Sequence, residues 1–333
     1  MTGNIDAPTL TYQWFTFPTD PSHADGWAHH GVAMTSDGQV VTFAAGGDEV
    51  VIFDVDGNPV DHWPTGLTEG HGISVSHDAD GDHIWIADPG SKMVADTPGH
   101  YQGFTPGDHG RVAEFDLTGR LVLEIGVPDH PAYTDGRFAP TSVIVDSVAD
   151  GGTGNIWVGD GYGASLVHEY APDGTYRQTL DHDFNCPHGV TIDRRRDEPE
   201  LYIADRGNER LQVFGLDGRF QRICGEGLLR GPSAFAFADD KMIIAELRAR
   251  VAVLDLDDQL VGYIGADDEA PARPGWPNAI SADGLTVRPP LQPGRFNSPH
   301  GVAVTADGRI VVAEWLIGGR VNRLTRDTDY SAQ

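Results

Sequence analysis

The chain reads as an all-β protein folded as a six-bladed β-propeller, and three observations carry that reading. A unit of short apolar runs punctuated by Gly, Asp and Asn recurs six times. With 42 Gly, 22 Pro and 39% hydrophobic residues among 333, the composition suits many short strands joined by turns better than long helices. The sixth unit stops one strand short, while an orphan strand-like run lies near the N-terminus.

The clearest copy is the fourth. Pro187-His188-Gly189-Val190 leads into Leu201-Tyr202-Ile203-Ala204-Asp205, then a turn at Gly207-Asn208, then Leu211-Gln212-Val213-Phe214. The first copy runs from His30-Gly31-Val32 through Val40-Val41-Thr42-Phe43 to Glu49-Val50-Val51-Ile52-Phe53. The second starts at His71 and is interrupted by a Gly/Pro/Asp/His-rich insertion, Pro89 to Gly110, which reads as a loop. The third starts at Pro140 and passes through Trp157 to Tyr170. The fifth starts at Pro232. A second insertion, from about Ala266 to Asn297, precedes the sixth copy at Pro299, which ends near Leu324. None of these units can bury both faces alone, so stacking around an axis is the expected solution. The run Leu10 to Phe17 is expected to supply the missing outer strand of the sixth copy, which removes an open edge. The expected domain is a single propeller over 10–327, with 1–9 and 328–333 as flexible termini.

Charge narrows the partners. A net charge of −27 repels phosphate backbones and anionic lipid, so nucleic acid and membrane surfaces are poor matches. No run approaches the roughly 18 apolar residues of a membrane span. Met1 to Asp20 lacks a basic segment followed by an apolar one, so a cytoplasmic location is expected. Cys186 and Cys224 are the only cysteines and are expected to be free thiols.

In a propeller the first strand of each blade lines the central channel, so equivalent positions form a ring. Aligning the residue before the Gly of each copy, or before its Ser142 or Ala234 replacement, yields His30, His71, Thr141, His188, Ser233 and His300. Histidine accounts for 14 of 333 residues, so four of six at one ring position far exceeds composition. His71, His188 and His300 fall in copies two, four and six, 117 and 112 residues apart. Alternate blades of six lie about 120° apart, so three imidazoles would converge on the axis as a facial set with open positions, the ligand pattern of a catalytic metal. Zinc is the expected ion, with iron, cobalt or manganese as alternatives and calcium also open. His30, with His29 beside it, reads as channel lining, an acid/base group or a fourth ligand, in that order.

The repeat pattern Pro-x-Gly-Val, Ala-Asp and Gly-Asn-x-Arg-x-Gln-Val-Phe resembles the NHL repeat. With the histidine ring added, the chain resembles the catalytic core of the peptidyl-α-hydroxyglycine α-amidating lyases, whose zinc is held by three such histidines. Asp160-Gly161-Tyr162 and Ala204-Asp205-Arg206 are similar to that family's Asp-Gly-Tyr and Ala-Asp-Arg. The resemblance implies that Tyr162 is the general base and that Arg206 holds a substrate carboxylate. The chain departs from the pattern where the family has an Arg after the second strand of its first blade, here Phe43-Ala44-Ala45-Gly46-Gly47. It departs again at Ser298, where the family has Met, and in the added His30.

The expected function is a metal-dependent lyase that cleaves or hydrates a C–O or C–N bond of a small, carboxylate-bearing substrate. Tyr162 or His30 would move the proton, and Tyr101 and Trp276 in the two insertions would wall the mouth. The acids ending the second strands, Asp88, Asp160, Asp205, Glu246 and Glu314, are expected in part to orient the ligand histidines. The alternatives are a non-catalytic scaffold for protein partners and a calcium-dependent lactonase-like hydrolase.

Overall fold

The computed structural model describes residues 8–78, 81–90, 94–97, 100–102 and 108–326, with side chains not described over 91–107. The terminal segments 1–7 and 327–333, and the side chain of Tyr101, lie outside that description. Within it the chain is a six-bladed β-propeller. Blade one comprises Ala33–Met34, Val40–Phe43, Glu49–Phe53 and Pro59–Pro64. Blade two comprises Gly72–Asp78, Gly81–Asp88, Arg111–Asp116 and Leu121–Ile125. Blade three starts at Ser142–Val145, blade four at Pro187–Asp193 and blade five at Pro232–Ala238, each continuing as a four-stranded antiparallel meander.

Blade six takes three strands from one end of the sequence and one from the other. Pro299–Val304, Ile310–Glu314 and Arg320–Arg326 are joined by Tyr12–Thr16, which pairs antiparallel with the last of them, Tyr12 opposite Arg326 and Thr16 opposite Asn322. The Thr16 hydroxyl donates to the Asn322 side-chain oxygen at 2.8 Å. The expected single run from Leu10 is split, because Thr9–Leu10 pairs parallel with Tyr263–Ile264 of blade five instead. The N-terminal segment therefore seals two blades.

Strand alternation explains the core. On the second strand of blade two, Ile84 and Ile86 face blade one and pack with Phe43, Val50 and Trp63. Trp85 and Ala87, one residue out of phase, face blade three and pack with Phe138, Val143 and Tyr170. Among the described residues six such apolar clusters occur, one at each seam between neighbouring blades. Both faces of each blade's second strand are thus buried, which is why these strands read as nearly continuous apolar runs. Cys186 and Cys224 are free thiols. No helix among the described residues is long and apolar enough to cross a membrane.

Candidate functional site

His71, His188 and His300 leave the first strands of blades two, four and six at one level of the channel. Their ring centroids are 4.9, 4.7 and 4.8 Å apart, and their planes are steeply inclined to one another at 68°, 90° and 90°. All three are buried. One backbone device fixes them. Each Nδ1 meets the backbone carbonyl of the ring residue in the next blade: His71 to Thr141 at 2.7 Å, His188 to Ser233 at 2.9 Å and His300 to His30 at 3.0 Å. A carbonyl only accepts, so Nδ1 carries the proton and each Nε2 presents a lone pair.

The residue after each histidine must be glycine for this to work. A Cβ on Gly72 would stand 2.3 Å from the Thr141 carbonyl oxygen, and one on Gly189 would stand 2.5 Å from that of Ser233. The ring residues of blades three and five carry short hydroxyls turned back to backbone. Thr141 donates towards the Gly159 and Pro187 carbonyls and Ser233 towards those of Ala245 and Pro299, which leaves the axis to the imidazoles. Below the histidines lies an axial cavity of about 110 Å³.

Tyr162 caps the cluster from the turn after blade three's second strand. Its hydroxyl lies 3.3 Å from Nε2 of His71, 3.1 Å from Nε2 of His188 and 3.1 Å from Nε2 of His29. Nη1 of Arg206 donates to the same oxygen at 3.1 Å, and the guanidinium carbon stands 5.2 Å from the phenol ring centroid. Burial pushes the Tyr162 phenol well above its usual range, with Arg206 opposing. Burial, together with Arg206 and the neighbouring imidazoles, holds His188 well below the usual range and hence neutral. Arg206 is not tied to Asp205, whose carboxylate instead takes the Asn185 amide, Asn208, Arg210 and Gln212.

The ring expectation for His30 needs correction. Its backbone occupies the ring position, but its side chain points away from the axis, with Nδ1 3.2 Å from the Thr42 hydroxyl and its ring against Phe43. It borders a cavity of about 740 Å³ lined also by Phe17, Glu49 and Phe53, and burial pushes its imidazole down to about 4. His29 takes the axial place. Its ring centroid is 4.6 Å from that of His71 and 4.7 Å from that of His300, its Nδ1 is 2.8 Å from Oε1 of buried Glu69, and Trp315 packs on it at 4.9 Å. The cause is local. Blade one's first strand begins only at Ala33, and Trp27–Ala28 pairs with Leu316–Ile317 of blade six, redirecting the chain before the ring position. Ala44, where the other blades carry an acid, lines the same cavity as His30.

The acids that end the second strands have a different task from the one expected. Asp88 accepts from the Thr68 and Glu69 amides, Asp160 from Ala139, Asp205 from Asn185, Glu246 from Arg230, and Glu314 from Asn297 and Ser298. Each ties down the loop that enters its own blade's channel strand, and the Nδ1 atoms of the three ring histidines go to backbone carbonyls instead. Trp276 donates to the Asn297 carbonyl at 2.9 Å and stacks edge-on against Trp315, so the second insertion does reach the wall beside His29. Glu69 and Trp315 escaped the sequence reading. Glu69 has one visible signal, since it occupies the register of Cys186 and Ser298, two residues before a ring histidine, and is the only acid of the three.

Known proteins share this arrangement of blades. Residues 296–319 match the NHL repeat. The chain is 32% identical over 246 residues to NHL repeat-containing protein 3 of Mus musculus, an alignment spanning 67% of this chain and 63% of the mouse protein. It is 25% identical over 262 residues to peptidyl-glycine α-amidating monooxygenase A of Xenopus laevis, spanning 69% of this chain and 26% of that protein. Among solved structures, a streptogramin B lyase superposes with a TM-score of 0.60 at 14% identity, covering 95% of this chain and 98% of its own. A gluconolactonase from Xanthomonas campestris superposes at 0.59 and 16% identity, covering 97% of this chain and 96% of its own. The fold defines a six-bladed β-propeller whose sixth blade carries a match to the NHL repeat. Within that class the chain is homologous to the NHL repeat-containing proteins and to the peptidylglycine α-amidating monooxygenases.

Proposed function

We propose that the protein is a metal-dependent lyase acting on a small carboxylate-bearing substrate, with His71, His188 and His300 as ligands of a divalent ion, zinc by preference. One observation carries this reading: three buried imidazoles from alternate blades, each pinned through Nδ1–H to a backbone carbonyl so that Nε2 is left as an acceptor, stand with ring centroids 4.7–4.9 Å apart around the axis. The donor chemistry fits a cation. Tyr162 has one hydroxyl proton to share among the Nε2 atoms of His71 and His188, both of which are acceptors in this tautomer.

Bound there, a zinc ion would supply Lewis acidity, drawing a neighbouring hydroxyl towards its ionised form. Tyr162, with its own proton lost to solvent under the pull of the cation and of Arg206, would as the phenolate take the proton from a hydroxyl on the substrate carbon and return it to the leaving atom. The oxygen then keeps its electrons to form the new C=O as the C–N or C–O bond breaks towards nitrogen or oxygen. Arg206 offers a planar fork of donors to the substrate carboxylate beside Tyr162. Trp276 and Trp315 form an apolar wall at the mouth. The homology to amidating monooxygenases makes α-hydroxyglycine derivatives, cleaved to an amide and glyoxylate, the first substrates to assay.

A second reading, a non-catalytic propeller, is favoured by the relatives at 28–32% identity, whose names state the repeat alone. Metal analysis of the purified protein separates the two. Near-stoichiometric transition metal, lost when His71, His188 and His300 are all changed to Ala, is expected. A metal-free protein, or full metal retention in the triple variant, would remove the enzyme reading.

A further inference from the structure

We infer that His29 is a fourth imidazole ligand of the axial ion, aimed and polarised by Glu69; the inference rests on the three-histidine reading above. The geometry is independent of the repeat. One ligating nitrogen each from His29, His71 and His300 can be chosen so that all lie within 4.8 Å of one another, and all three residues are buried. His188 lies outside that group and joins the site through the Tyr162 hydroxyl and ring centroids 4.9 and 4.8 Å from those of His71 and His300. Ring centroids of 4.6 Å to His71 and 4.7 Å to His300 match the 4.7–4.9 Å spacing inside the threefold set. Its Nε2 shares the Tyr162 hydroxyl with the Nε2 atoms of His71 and His188.

What fixes His29 differs in kind from what fixes the others. The three ring histidines donate Nδ1–H to neutral carbonyls, whereas His29 meets a buried carboxylate at 2.8 Å, and Glu69 is itself anchored by its own amide to Asp88 at 3.1 Å. A carboxylate behind Nδ1 fixes the tautomer, turns Nε2 to the ion and raises its basicity. The buried carboxylate also offsets part of the charge of a dication among four neutral rings. The fourth ring changes which ion can react. Four imidazoles close a tetrahedral zinc, so with His29 bound the zinc preference of the three-histidine reading gives way to an ion that accepts five or six ligands and still meets substrate, as iron or cobalt does.

The test is X-ray absorption at the metal edge of the purified full chain, with metal affinity measured by competition against a chromophoric chelator. Four imidazoles are expected in the wild type and three in His29→Gln, with affinity 10–100-fold weaker. Glu69→Gln is expected to retain four with affinity about 10-fold weaker. Three imidazoles in the wild type, or an unchanged count and affinity in His29→Gln, would overturn the assignment while leaving the three-histidine reading standing. A metal-free wild type removes both. Four imidazoles around tetrahedral zinc would support the ligand and remove the catalytic reading. The wild-type count decides even if a variant fails to fold.

Discussion

Blade one and the five blades after it start from the same repeat and reach different ends. In blades four, five and six the acid that closes the second strand faces an arginine opening the third, Asp205 with Arg210, Glu246 with Arg250 and Glu314 with Arg320. The same carboxylate also gathers the amides of the incoming loop. In blade one this register holds Ala44 opposite Glu49, and Glu49 turns outward to His62 and His23. Without the tie, the entering loop follows blade six, His30 swings into the seam and His29 reaches the axis. The difference teaches that the acid, with or without an arginine, positions the channel strand, since blade three keeps Thr141 in the ring with Asp160 opposite Leu166. Where Ala44 stands in place of the acid, His29 reaches the axis instead of His30.

The largest test of this contrast is to remove a tie where it exists. Glu314→Ala would leave the Arg320 guanidinium and the Asn297 and Ser298 amides buried without their acceptor, and a loss of about 3–5 kcal/mol in urea unfolding is expected. A cost below about 1 kcal/mol would deny the tie its role.

Next comes the spacing of blades at the ring. Gly72→Ala should cost about 2–3 kcal/mol and weaken metal binding, because its Cβ would press on the carbonyl that holds His71. Gly31→Ala in blade one meets its nearest neighbour, the Ile73 side chain, at 3.2 Å and should cost less than half as much. Equal melting shifts for the two would erase the contrast.

Acid provides a third probe, away from the axis. His168 in blade three is buried against the Tyr133 and Thr179 hydroxyls, and burial pushes its imidazole down to about 3. Between its ordinary value of 6.5 and that point the unfolded chain holds the extra proton. Its contribution is therefore complete above pH 6.5 and falls as pH drops, by at most about 1.4 kcal/mol per pH unit. His168→Gln should flatten the acid limb of the stability profile, and parallel profiles would refute the assignment.

The smallest effect is a repair. Ala44→Asp alone sets a carboxylate opposite Glu49 and should destabilise slightly, whereas Ala44→Asp with Glu49→Arg should recover about 1 kcal/mol relative to the single variant. Additivity of the two changes would show that the pair does not form.

These comparisons also mark what was legible before any coordinates. The six copies, the borrowed outer strand of the last blade and the shared level of His71, His188 and His300 all follow from repeat arithmetic, because a closed array places equal registers at equal depth. Tyr162 and Arg206 were legible only through resemblance, since nothing in their spacing says that they meet. His29 was misread in favour of His30 because the alignment assumed a regular first blade. The pairing of Trp27–Ala28 with Leu316–Ile317, nearly 290 residues away, breaks that assumption and leaves no periodic trace. Glu69 and Trp315 were missed for the same reason, as their partners come from other blades.

The seam sealed by Tyr12–Thr16 against Arg320–Arg326 also bears on the order of events during biosynthesis. The imidazoles at the axis come from positions 29, 71, 188 and 300, and blade six lacks its outer strand until the segment ending at Arg326 has left the ribosome. A nascent chain therefore carries scattered histidines rather than a chelate, and on the proposed metal reading ion capture would wait for a finished ring.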